Sequence, residues 1–137
     1  MTKFTDLGIS KDILKGITEL GFEEAMPVQA EVIPVVLEST SDIVALAQTG
    51  TGKTAAFGIP IVQRIDISSK HPQALILSPT RELCVQIAKD LMAYSKYVDG
   101  LKVLPVYGGA DINAQIRGLN MGVHVIVATP GRMLDLL

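Results

Sequence analysis

The stretch Ala47-Gln48-Thr49-Gly50-Thr51-Gly52-Lys53-Thr54 sets small residues, a lysine and a hydroxyl in an order suited to gripping a phosphate chain. Gly50 and Gly52 carry no Cβ, so the backbone can close on an anion without a clash. Successive N–H groups and the start of a helix then surround the charge. Lys53 is placed to reach the β- and γ-phosphates, and the Thr54 hydroxyl to enter the coordination shell of Mg2+. Position one is Ala47 where the generic pattern has glycine, a change that leaves the Gly-Lys-Thr end intact.

Such a loop works only between a strand and a helix. The preceding residues 42–47 (Asp-Ile-Val-Ala-Leu-Ala) are apolar and β-prone and are predicted as a buried strand. The following Ala55-Ala56-Phe57 opens a helix predicted over about 53–65. Upstream, Ser10 is the expected cap of a helix whose apolar positions Ile13, Leu14, Ile17 and Leu20 recur at helical spacing and end at Gly21. A second helix starts near Pro27 and runs through Ile33, with Pro34 expected to begin a separate short turn because it cannot donate a hydrogen bond. Downstream, strands are predicted over 74–78, 101–107 and 123–128, alternating with helices over 81–96 and 110–119 and a last one opened by Thr129-Pro130. The apolar run 74–78 reads as a strand buried on both faces. Alternating strands and helices imply an α/β fold, a parallel sheet with helices on both faces.

At 137 residues the chain is one domain's worth or less. Its 48% hydrophobic and 19% charged content describes a packed core, not a disordered tail. A net charge of −2 gives no overall basic field, so any nucleic-acid contact must come from local geometry. Cys84 is alone, which rules out an internal disulfide, and it is expected to pack as a small apolar residue on a helix. His71 and His124 stand apart from any Cys or Asp cluster, which argues against zinc. The first residues lack signal-peptide character and no stretch is long enough to span a bilayer, so a cytoplasmic setting is expected.

Further motifs accompany the loop in a fixed order: Phe4; Gly21-Phe22-Glu23-Glu24-Ala25-Met26-Pro27-Val28-Gln29; Pro79-Thr80-Arg81-Glu82-Leu83; Gly108-Gly109; and Thr129-Pro130-Gly131-Arg132. Together they resemble the N-terminal part of the first RecA-like domain of DEAD-box ATP-dependent RNA helicases, most closely the bacterial DeaD-like members. The resemblance runs over essentially the whole chain. It implies a partial RecA-like P-loop NTPase fold, with the chain as an incomplete helicase ATP-binding domain and an adenine-recognition segment over about 2–30.

The resemblance also implies the partners, ATP with Mg2+ and RNA. In the family pattern Gln29 matches the glutamine that reads adenine, a sensible choice because a carboxamide donates and accepts at once across the N6/N7 edge. Phe22 matches the aromatic that stacks on the base, Phe4 its upstream support, and Glu24 a position whose backbone meets the adenine. With Thr49, Gly50, Thr51, Gly52, Lys53 and Thr54 they complete the implied ATP site, Thr54 being the implied Mg2+ ligand. Met26 departs from the family, which commonly has Thr or Ser there. Pro79, Thr80, Arg81, Gly108, Gly109, Thr129, Pro130, Gly131 and Arg132 match the residues that hold the sugar-phosphate backbone of single-stranded or duplex RNA. Helix starts and a nearby guanidinium are chemically apt for that, and backbone contacts carry no sequence preference.

The Asp-Glu-Ala-Asp segment that names the family does not occur in these residues, nor does the second RecA-like domain with its arginine finger. The expectation is that the parent is an RNA helicase, while these 137 residues alone lack ATPase and helicase activity. By the same resemblance two absent strands lie between the strand at 42–47 and the other three. The open edges so left are expected to be closed by a partner copy or strand exchange, or avoided by different pairing. Two other readings stay open: a nucleotide- or RNA-binding module without catalysis, and another P-loop enzyme such as a DNA helicase or a nucleotide kinase.

Overall fold

The computed structural model describes residues 2–48 and 52–137. Thr49, Gly50 and Thr51, assigned above to the nucleotide loop, lie outside the described residues. The chain divides into two units, Met1–Arg64 with Ala93–Asp99, and Ile65–Met92 with Gly100–Leu137.

The first unit is helical. A short 3-10 turn (Phe4–Asp6) precedes α1 (Lys11–Glu19), α2 (Pro27–Glu38) and α3 (Lys53–Gln63). Helix α1 forms where the apolar spacing requires it, burying Ile13 and Ile17 on one side. Ser10 holds the cap position without capping: its side chain makes no cap bond, and its N–H instead donates to Oε1 of Gln63 at 2.8 Å. Helices α2 and α3 pack on each other, with Ile33 and Ile59 fully buried. Each such side chain contributes about 1.5–3 kcal/mol of burial energy.

Two further expectations fail in this unit. Pro34 does not start a new turn but sits inside α2, which continues unbroken to Glu38. The one hydrogen bond that proline forfeits is outweighed by the packing of the Ile33 turn on α3. Residues 42–48 form no strand, and Val44 and Leu46 are 89% and 94% exposed. A strand is stable only when a neighbour takes up its N–H and C=O groups. Among the described residues of this unit the only β contact is the antiparallel bridge between Lys3 and Glu24, so no ladder is open to 42–48.

The second unit is a three-stranded parallel sheet, β1 (Ala74–Leu77), β2 (Val103–Val106) and β3 (Val125–Ala128), in the order β1-β3-β2. Helix α4 (Arg81–Tyr94) follows β1, α5 (Ile112–Asn120) follows β2, and α6 (Pro130–Leu136) follows β3. Each strand is shorter than its apolar run by one to three residues, because pairing ends where the register does. That register aligns Leu77, Ala128 and Val106 across the sheet. The middle strand β3 is buried on both faces, as its unbroken Val-Ile-Val-Ala reads.

Strand β1 is not. Ile76 is buried, but Leu75 and Leu77 are 49% and 57% exposed, which corrects the reading of 74–78 as a doubly buried strand. Alternate residues point to opposite faces. On the face that holds Ile126, Leu119 of α5 and Met133 and Leu136 of α6 pack against Val106, Val123, Ile126 and Ala128, leaving the β1 leucines of that face uncovered. On the other face Cys84 of α4 is fully buried, its Sγ 3.1 Å from the Val127 carbonyl oxygen. Burial pushes that thiol pKa up, so Cys84 packs as an apolar residue. No helix among the described residues is long and apolar enough to cross a membrane.

Candidate functional site

In the first unit the N-terminal strand-like segment delivers Phe4 to Phe22. The Phe4 N–H donates to the Glu23 carbonyl (3.1 Å) and the Ala25 N–H to the Thr2 carbonyl (2.8 Å). The two rings stack with centroids 5.5 Å apart and planes 26° from parallel, and Tyr94 approaches Phe22 at 6.0 Å. Phe4 is buried, whereas Phe22 is half-buried. These rings, with Glu23, Glu24, Met26, Gln29 and Gly52, line a cleft of about 530 Å³. Its walls combine two aromatic rings and a thioether with the Gln29 carboxamide and two glutamates, an apolar cleft with a few polar groups as in small-molecule pockets.

Gln29 is the polar centre of that cleft, 5% exposed. Its Oε1 accepts the Met26 N–H at 2.9 Å, and its Nε2 donates to the Gly52 carbonyl at 3.3 Å. A carboxamide has two donor hydrogens and two acceptor lone pairs. One of each is thereby spent on the protein, and one of each is left.

Gly52 is the residue before α3, with φ +83. A Cβ there would run into the Gln29 carboxamide, so both conformation and contact require glycine. The first amides of α3 follow it, with Lys53 exposed and Thr54 half-buried. Met26 precedes α2 at its cap position, but a thioether offers no strong acceptor for the free amides of the first turn. The strong half of the capping pair is the reverse one, made by Gln29.

In the second unit the three parallel strands end level with one another. The Ser78 N–H donates to the Ala128 carbonyl (2.9 Å) and the Thr129 N–H to the Val106 carbonyl (3.0 Å). Directly beyond these ends come Pro79-Thr80-Arg81, Gly108-Gly109 and Thr129-Pro130-Gly131-Arg132, so one sheet edge gathers all three motifs. Open α/β sheets bind ligands at this end. Thr80 caps α4, its Oγ1 accepting the Leu83 N–H at 3.2 Å. The Arg81 guanidinium lies over Gly109: a Cβ at that residue would stand 2.8 Å from Nη1, and its φ is +88. Gly108, Gly109, Pro130 and Gly131 are exposed and Thr129 is half-buried.

Arg132 is arranged differently. Its side chain is only 11% exposed; Nη1 donates to the Ala110 carbonyl (3.2 Å) and to Oε1 of Gln115 (2.9 Å). Nε lies 3.6 Å from Asp135, too far for a hydrogen bond, and is buried without one. Gln115, unnoticed in the sequence, is 6% exposed and donates through Nε2 to the Tyr107 carbonyl at 3.1 Å. Its signal was there to be read: with Ile112 and Leu119 it stands at i, i+3 and i+7, a polar residue on the core face of α5.

The chain matches the family model described as DEAD/DEAH box helicase over residues 26–137. It is 50% identical over 135 residues to the DEAD-box ATP-dependent RNA helicase CshA of Geobacillus kaustophilus, covering 98% of this chain and 28% of that protein. To the ATP-dependent RNA helicase DeaD of Mycobacterium tuberculosis it is 51% identical over 132 residues, covering 96% and 23%. The chain thus spans about a quarter of the length of the curated relatives it matches. Among solved structures, a DEAD box protein from the hyperthermophile Methanococcus jannaschii superposes with a TM-score of 0.91 at 39% identity, over 98% of this chain and 36% of that one. Saccharomyces cerevisiae Dbp5 bound to RNA and ADP BeF3 superposes with a TM-score of 0.86 at 31% identity, over 99% and 34%.

Proposed function

Because the chain belongs to the DEAD/DEAH box helicase family, we propose that it is the incomplete ATP-binding, RecA-like domain of an ATP-dependent RNA helicase, with its adenine-reading segment at about 2–30. The observation that carries this reading is the half-spent carboxamide of Gln29 inside the aromatic cleft. The donor and acceptor that remain to it are the pair that adenine requires at N7 and N6. Guanine places an acceptor where adenine has its N6 donor, so ATP is favoured over GTP. Phe22 offers its ring to the base and Phe4 backs it. The phosphates follow toward Gly52 and the first turn of α3, where free amides and Lys53 supply positive charge.

Bound Mg2+ would neutralise charge on the phosphates, and Thr54 is the residue of this chain suited to hold it. No group of three or more His, Cys, Asp or Glu that could hold a metal occurs among the described residues. In P-loop enzymes the loop hydroxyl shares the ion with phosphate oxygens and with a carboxylate from a separate segment.

RNA is proposed to lie along the level ends of β1, β2 and β3, held through its phosphates by the amides around Gly108-Gly109 and the starts of α4 and α6, with Arg81 as the exposed charge. Dbp5, which shares the fold, has been captured with RNA and a nucleotide analogue, which supports this assignment. Coupling of the two ligands to duplex opening is proposed for the whole protein.

Competition binding tests the nucleotide half. Full-length protein is expected to prefer ATP over GTP by about fivefold or more, and Gln29→Ala to erase that preference, in line with the discrimination of about 1–3 kcal/mol given by a bidentate contact. Equal preference in the parent and in Gln29→Ala would assign the chain to a P-loop enzyme that does not read its base here.

A further inference from the structure

We propose that Gln115 is a positioning residue for RNA binding: with Arg132 it forms a brace that fixes the Gly108-Gly109 turn in its RNA-gripping shape. The inference rests on the reading of the strand ends as the RNA site. The turn has two flanking carbonyls, and both are held from behind. Gln115 Nε2 donates to the Tyr107 carbonyl and Arg132 Nη1 to the Ala110 carbonyl, while the two side chains are joined at 2.9 Å. With both carbonyls tied inward, Gly108 and Gly109 are left at the surface, and the amides between the two anchors are the groups available to a phosphate oxygen.

Burial makes the brace stiff. Gln115 is 6% exposed and the Arg132 side chain 11%, so breaking either bond strands a polar group away from water. It also separates the two arginines by role. Arg81, over Gly109 and half-exposed, is the cation a phosphate can reach; Arg132 spends its charge on the fold.

The alternative is that the brace merely ties α5 to α6. RNA affinity tells the two apart, and salt dependence separates both from a direct phosphate contact by Arg132, because each phosphate neutralised by a cation adds about 0.7 to the slope of log affinity against log salt for single strands. In full-length protein, Gln115→Met and Arg132→Gln are each expected to weaken oligouridylate binding about tenfold, the scale of one lost buried bond. ATP affinity should stay within twofold and the salt slope should not change. The double variant should be no worse than either single one, since both break one unit.

Backbone amide order parameters at Gly108 and Gly109 are an independent reading of the brace and should fall in Gln115→Met. If Gln115→Met does not fold, Gln115→Glu takes its place, because it keeps the bond from Arg132 but loses the donor to Tyr107. Parental RNA affinity in a folded Gln115 variant would overturn the proposal. So would a slope shallower by about 0.7 in Arg132→Gln, which would make Arg132 a phosphate ligand. Should the parent itself bind no oligouridylate, the RNA reading fails, while the order parameters at the two glycines still decide the brace.

Discussion

Gln29 and Met26 form half of a pair. The glutamine accepts the Met26 N–H, while all that Met26 returns to the first turn of α2 is its sulfur, a weak acceptor. A hydroxyl at that position would supply the missing acceptor, and capping by Ser or Thr contributes about 0.5–2 kcal/mol. Met26→Thr is therefore expected to raise the thermal midpoint by roughly 3 °C or more. Calorimetry that finds an unchanged or lower midpoint would refute the missing cap. The departure at Met26 was legible in the sequence because a motif fixed what should stand there. The inward turn of Arg132 was not. An arginine at a helix start reads the same whether it faces solvent or a buried glutamine, and only the fold brings Gln115 to it.

At the scale of elements, local pattern carried far where a segment could satisfy its own backbone. Helices α1, α3, α4 and α5 lie within a few residues of their predicted spans, since a helix closes its hydrogen bonds internally. Strands depend on neighbours, and here the reading broke. The run 42–47 has the composition of a strand but forms no ladder among the described residues, whereas Val125–Ala128 is paired on both sides. Pro34 misled in the other direction, because packing on α3 overrode a local stop signal.

The end of α1 shows a contact between elements that no periodicity announces: Glu19 accepts hydrogen bonds from the Tyr97 hydroxyl and from Lys96 Nζ, the latter at 2.9 Å. The Tyr97 bond, then Lys96, holds the Glu19 carboxyl below its usual range. A carboxylate with a depressed folded pKa stabilises above its unfolded value and loses that contribution as pH falls through the folded one. Glu19→Gln should thus lower the thermal midpoint slightly at pH 7, and the gap to the parent should close as pH falls through the depressed folded pKa, below which both side chains are neutral. A gap that persists in acid would mean that packing, not charge, joins the two elements.

Over the whole molecule, each of the two units carries one coherent piece of chemistry. The first holds the aromatic cleft, Gln29 and the start of α3; the second holds three level strand ends with their glycines and Arg81. The fold class could be read from the motif order. The three-stranded extent of the sheet and the exposed face of β1 could not, because they depend on which elements cover which, a property of the assembled chain. The central claim is that these two sets serve one reaction. The measurement that tests it most directly is ATP hydrolysis by the full-length protein with and without single-stranded RNA, beside Lys53→Ala. The account predicts turnover that RNA stimulates at least tenfold, and loss of about a thousandfold or more in Lys53→Ala, comparable to the removal of other cations that stabilise phosphoryl transfer. Turnover indifferent to RNA, or undiminished in Lys53→Ala, would contradict it.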